Sequence, residues 1–259
     1  MGLACRSMNT ISESVDLIAH LRVNASSTEC RFQSLSWSDL EGIQDLNFDH
    51  CIFEKNEFGD LESLQFTDCI FLECSFNSSS IKETLFENTR FYDADTEKGC
   101  TFQFAQFDGS TFKGCDLTLA NFSRACLYRV TMNQCQATGI DFSHATSSHQ
   151  VGNTVVLSDA WINDCNCAYA NMKGANFCEC DLSDNRFSHS LLDNAVLDNT
   201  LLNGCDFHGV ESEGLSIKGA DLRDAQIGGL DVRRMDMTGV RINDYQQRIL
   251  LEAIGMIVD

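Results

Sequence analysis

Large apolar side chains return at every fifth position for most of this chain. The series runs through Phe102, Phe107, Phe112, Leu117, Phe122, Leu127, Met132 and Phe142. It resumes in phase from Leu157 through Phe177, Leu182, Leu197 and Leu202 to Phe207, and runs again from Ile217 through Leu222 to Ile242. A step of five rotates a helix by about 140° and reverses the face of a strand, so neither element buries this series as one column. Two positions before each large residue stands a smaller one, as at Cys115, Ala120, Ala175, Cys180 and Ala220. Asp, Asn, Ser, Lys, Arg and Gly dominate the remaining positions. The chain therefore turns a corner every five residues and sends two side chains inward per turn. If four such turns close a coil, residues twenty apart stack, and main-chain groups pair between coils about 4.8 Å apart. The predicted core ladders are Phe102 over Phe122 over Phe142, and Leu182 under Leu202 and Leu222.

The first hundred residues carry the same spacing in shifted phase, in the runs Phe48, Phe53, Phe58 and Phe66, Phe71, Phe76, Ile81, Phe86, Phe91. This divides the chain into an N-terminal extension or cap over 1–29, a solenoid over 30–242, and a C-terminal helix and tail over 243–259. Residues 11–22 are expected to form a short helix or an irregular cap. Asp244 and Gln247 suggest a capping box for the last helix. Ile249, Leu250, Leu251, Ile254, Met256 and Ile257 offer more apolar surface than one rod end needs, which predicts pairing of two copies there.

Two interruptions break the phase. Phe91 to Phe102 spans one residue more than two pentads, which predicts a bulge over Tyr92, Asp93, Asp95, Glu97, Lys98 and Gly99, with Gly99 as the permissive turn. A second stretch, 143–156, contains His144, Thr146, Ser147, Ser148, His149, Gln150 and Asn153. Ser147 and Gly152 stand there where large apolar residues are due, and the phase returns at Leu157. An exposed, flexible loop is expected, since insertions in a solenoid project from one face without disturbing the stack.

Of fourteen cysteines, ten occupy the small inward position, which predicts reduced, buried thiols acting as small hydrophobes. Cys126 and Cys178 are expected to face outward. Neither zinc-ligand spacing nor a catalytic constellation emerges, so no metal, cofactor or enzyme activity is expected. No apolar run approaches the roughly 20 residues of a membrane helix, and no signal-like N-terminus is visible, which predicts a cytoplasmic protein. The formal charge of −20 disfavours direct nucleic-acid binding. It suits partial mimicry of duplex DNA, docking onto a DNA-binding protein, or a general acidic scaffold.

Ala120-Asn121-Phe122, Ala175-Asn176-Phe177, Cys180-Asp181-Leu182, Cys205-Asp206-Phe207 and Ala220-Asp221-Leu222 resemble the repeat of the pentapeptide-repeat family. That resemblance implies an all-β solenoid, a right-handed quadrilateral β-helix with two projecting loops and a C-terminal α-helix. The first loop with its flanks, the order of the two loops, and the tail from Met237 to Gln246 are similar to the quinolone-resistance members, the Qnr group. This narrower resemblance implies a homodimer joined through the C-terminal helices. It also implies binding to DNA gyrase and topoisomerase IV, and protection of these enzymes from quinolones through both loops and nearby acidic faces. A DNA-mimic inhibitor or regulator of gyrase and an acidic scaffold for another protein are the competing expectations.

Overall fold

The computed structural model describes residues 8–23, 25–37, 44–151 and 155–258. Strands of two to four residues alternate with corners, and each strand of the rod pairs in parallel with the strand one coil away, while two short antiparallel hairpins stand apart from this ladder. One face runs Ser27, Phe48, Phe66, Phe86, Phe112, Met132, Ile162 in continuous register. It continues through the bridges Trp161 to Asp181, Leu201, Asp221 and Arg241. The result is a right-handed, four-sided β-helix.

The large inward side chains form stacked columns along the axis. Phe102 lies on Phe122 with ring centroids 4.4 Å apart and planes 10° off parallel, and Phe142 follows at 5.6 Å. The bridges Asp181–Leu201–Asp221 put Leu182, Leu202 and Leu222 in one column as well. All six of these side chains are buried. The small inward position admits Ser, Thr, Asn and Cys because it lies within reach of a carbonyl of the preceding coil. Ser110 Oγ donates to the Ile81 carbonyl at 3.0 Å, Thr200 Oγ1 to Phe177 at 2.8 Å, and Cys205 Sγ to Leu182 at 3.0 Å. Buried polar groups thus remain paired, as a dry core requires.

All thirteen described cysteines are free thiols. Burial pushes the Cys205 thiol up to about 12 and that of Cys180 up to about 11, so both stay protonated and poorly nucleophilic. Cys126 and Cys178 are half-buried rather than fully outward. Cys126 is covered because its Sγ reaches the Ser148 carbonyl at 3.3 Å.

Almost every corner holds one residue with φ near +55°, which Asp, Asn and Gly tolerate best. Phe104, Leu119 and Tyr169 also adopt it, with φ of 59°, 53° and 61°. At the N-terminal end, Asn9–Ile11 already pairs with the strand Cys30–Gln33, so the ladder reaches into the segment expected to be a cap. Helix α1, Ser14–Val23, follows and buries Leu17.

The opposite end is closed by a capping box one residue earlier than expected, formed by Asn243 and Gln246 around the 3-10 turn Asp244–Gln246. Gln246 is completely buried. Its Nε2 donates to the carbonyls of Leu222 at 2.9 Å and Ala225 at 2.7 Å, while its Oε1 accepts from the Asn243 amide at 2.7 Å. The side chain therefore satisfies carbonyls that the end of the stack leaves open. Helix α2, Gln247–Ala253, rests on this plug.

Candidate protein-docking site

The first interruption is a short antiparallel hairpin, with Tyr92 opposite Gly99 and Asp93 opposite Lys98. Thr101 stacks on Ser75 and Asp116 on Arg90, each twenty-six residues apart instead of twenty. The insertion is thus six residues at one corner, rather than an extra residue spread over two pentads. Gly99 is required for close approach: a Cβ there would collide with the Leu119 carbonyl. This replaces the expected role of Gly99 as a positive-φ turn, which Glu97 fills with φ 55°.

Asp93 shapes the hairpin. Its Oδ1 accepts from the Asp95 amide at 3.0 Å and its Oδ2 from the Thr96 hydroxyl at 2.9 Å. The Thr96 hydroxyl first, and then the Asp95 amide, hold its carboxyl below the usual carboxylate range. Lys98 ties the base to Glu73 at 3.0 Å. Tyr92 is half-buried at the base, whereas Asp95 and Glu97 are exposed near the tip.

The second interruption is also a hairpin, Ser148–Val151 against Val155–Ser158, with His149 opposite Leu157 and Gln150 opposite Val156. It begins later than expected. His144 is an exposed corner residue of the rod, Thr146 bridges to Cys126 and Asn176, and Ser147 is fully buried at the large inward position. Ser147 tolerates that place because Cys180 Sγ donates to its hydroxyl at 3.0 Å and the Asn176 carbonyl lies 3.5 Å from it. Leu157 does not restore the core phase; it is exposed on the hairpin, and Ala160 and Ile162 resume the interior. Met132 pairs with Ile162 thirty residues on, so ten residues are inserted, between Ser147 and Ile162. Asn153 and Gly152 lie outside the described residues.

Aromatic surface flanks this hairpin, which its own polar sequence does not suggest. Tyr128 stacks on His149 with centroids 5.0 Å apart, and Trp161, four residues after Leu157, is 40% exposed on the next face. Thr146 Oγ1 and Ser148 Oγ, 2.7 Å apart, fix its first strand. The two hairpins leave the rod at different corners. The first shares its corner with Glu73 and Leu119, and the second with Arg129, whose amide donates to the Asp159 carbonyl at 2.7 Å. These corners are two of four apart, hence diagonally opposite.

At the C-terminal end Ile249, Ile254, Met256 and Ile257 are exposed, Ile257 to 90%, while Leu250 and Leu251 are half-buried. Among the described residues, Asp49, His50 and Asp68 place donor atoms within 4.8 Å of one another on an exposed corner. Hydrogen bonding to Asp49 at 2.8 Å raises the His50 pKa, which makes this an ordinary ion-pair cluster. No helix among the described residues is long and apolar enough to cross a membrane.

A family model described as pentapeptide repeats matches residues 98–134, 162–195 and 180–211. The quinolone resistance pentapeptide repeat protein QnrB96 of Scandinavium goeteborgense is 29% identical over 134 residues, covering 52% of this chain and 63% of that protein. The pentapeptide repeat protein QnrB4 of Escherichia coli is 30% identical over 117 residues, covering 45% and 54%. VPA0095 of Vibrio parahaemolyticus, another pentapeptide repeat protein, is 31% identical over 142 residues, covering 55% and 66%. The chain thus spans between about half and two thirds of these relatives' length. Full-length QnrB1, a plasmid-mediated fluoroquinolone resistance protein, superposes with a TM-score of 0.71 at 25% identity, over 89% of this chain and 100% of that one.

Proposed function

Because this chain is a pentapeptide-repeat protein similar to the Qnr quinolone-resistance proteins, we propose that it binds bacterial DNA gyrase, and also topoisomerase IV, and protects both from quinolones. The observation that carries this reading is a stiff acidic rod with two structured hairpins at fixed corners, joined to likeness with proteins named for quinolone resistance. Asp95 and Glu97 offer carboxylates to a basic enzyme surface, and Tyr92 steadies the first hairpin from below. His149, Gln150, Val156 and Leu157 present the second hairpin, with Trp161 as an aromatic anchor beside it. Bound in this way, the rod biases the topoisomerase away from its drug-held cleavage complex by differential affinity, without covalent chemistry. Two copies join through Ile249, Ile254, Met256 and Ile257.

The charge of −20 favours one other reading, a DNA mimic that inhibits gyrase. Supercoiling assays with purified gyrase separate the two. A protector restores supercoiling in the presence of a quinolone and leaves the drug-free reaction intact, whereas a mimic suppresses the drug-free reaction at the same concentration and is displaced by duplex. Absence of rescue at any concentration overturns the protective reading.

A further inference from the structure

The corner that carries the first hairpin continues up the rod as Leu119, Gly139, Tyr169 and His189. Beside it the outward residues Ala168 and Ser188 are sunk to 5% and 3% exposure. Over 102–223 the equivalent position of the other pentads is half-buried or exposed, apart from Ser123. Ala168 and Ser188, with Thr138, therefore floor a shallow trough.

One wall is aromatic. Tyr169, 62% exposed, stacks on His189 with centroids 5.3 Å apart, and His189 meets His208 edge-on at 5.5 Å. The other wall is polar and ordered: Asn166 Nδ2 donates to Gln136 Oε1 at 3.0 Å, Gln136 Nε2 to Thr138 Oγ1 at 2.7 Å, and Arg186 Nε to Ser188 Oγ at 3.0 Å. Between Asp116 and Asp206 this wall carries no carboxylate, although the chain as a whole has 38 acidic residues against 18 basic. The acidic surface is interrupted where a small-residue floor, stacked rings and the Arg186 guanidinium come together; its Nε lies 3.9 Å from Asp206 Oδ2, and 62% of the side chain is exposed.

We infer that this trough seats an extended segment of the topoisomerase, one bearing an apolar side chain next to a carboxylate. The inference rests on the function proposed above and adds a second contact surface to it. The apolar side chain lies over Ala168 against the Tyr169 ring, and the carboxylate meets the Nη groups of Arg186, whose Nε side is already held by Ser188 and Asp206. Carboxamides of Gln136 and Asn166 supply hydrogen bonding to the segment's main chain. Continuity with the first hairpin places both contacts along one edge of the rod.

The test is binding of purified gyrase and topoisomerase IV to the full chain and to Tyr169→Gly, Ala168→Glu and Arg186→Glu. Tyr169→Gly removes the ring at a corner with φ 61°, where glycine already serves in the neighbouring coil at Gly139, so the fold is retained. The expected result is affinity lowered about tenfold or more by Tyr169→Gly and by Arg186→Glu, as for loss of an interface anchor, with far-UV circular dichroism unchanged. Should Ala168→Glu unfold, Tyr169→Gly decides alone. Wild-type affinity in the folded Tyr169→Gly variant, alongside weakened binding when residues 94–97 are replaced by glycine and serine, overturns the trough and leaves the proposed function standing. A wild-type chain that binds neither topoisomerase overturns both.

Discussion

Phe122 sits between Phe102 and Phe142 in the central column, and Phe122→Ala removes a fully buried ring from a stack that cannot close over the gap. The expected loss is about 3–5 kcal/mol in denaturant unfolding; less than about 1 kcal/mol would show that the ring does not fill the core. Gln246→Ala leaves the Leu222 and Ala225 carbonyls without their donor and should cost about 1–3 kcal/mol. Asp221 is buried against Arg223, whose Nη2 lies 2.6 Å from Oδ2, and this guanidinium holds the carboxyl below the usual range. A depressed folded-state pKa stabilises above the unfolded value of about 3.9 and ceases to do so as pH falls through the folded value. Acid unfolding should therefore begin at higher pH in wild type than in Asp221→Asn, measured relative to each protein's own stability at pH 7. The inward residues were legible in the sequence because their period is fixed by corners. Gln246 was not, because a polar side chain plugging an end has no periodic signature.

The hairpins show both how far spacing can be read and where it fails. Counting residues between Phe142 and Leu157 correctly predicts ten to spare, yet the excursion starts one pentad later, because the hydroxyl of Ser147 is satisfied inside the rod. Leu157, apolar and in phase, is outside. Apolarity and period jointly misassign a residue when the neighbouring strand carries it away from the axis. Trp161 and Tyr128 escaped notice as neighbours of the second hairpin, since adjacency across a corner depends on register. Replacing residues 148–158 with a short Gly-Ser link should leave the melting temperature within a few degrees, because Met132 and Ile162 still pair, and should abolish rescue of gyrase from a quinolone. Full rescue by that variant would remove the second hairpin from the mechanism. Asp95→Ala, at an exposed tip, is expected to weaken topoisomerase binding without altering stability, and equal binding would show that its charge is idle.

Across the whole molecule, the fold was the most legible feature and the assembly the least, because a repeat is written many times and an interface once. Ile257, 90% exposed, and its neighbours Ile254 and Met256 are exposed at the rod end, the surface proposed to pair two copies. Ile257→Asp should shift the mass measured by light scattering from dimer to monomer, and a wild type that is already monomeric would sink that arrangement. Electrostatic docking by a rod of charge −20 should weaken as ionic strength rises.

Both insertions leave the pairs on either side of them intact, Ser75 with Thr101 and Met132 with Ile162. The rod therefore behaves as a peg-board whose address is a residue count. Moving a graft along the chain by five positions swings it a quarter-turn, and moving it by twenty lifts it one storey, about 4.8 Å. Two ornaments can thus be set at any of four bearings and on any storey without redesigning the shaft that holds them.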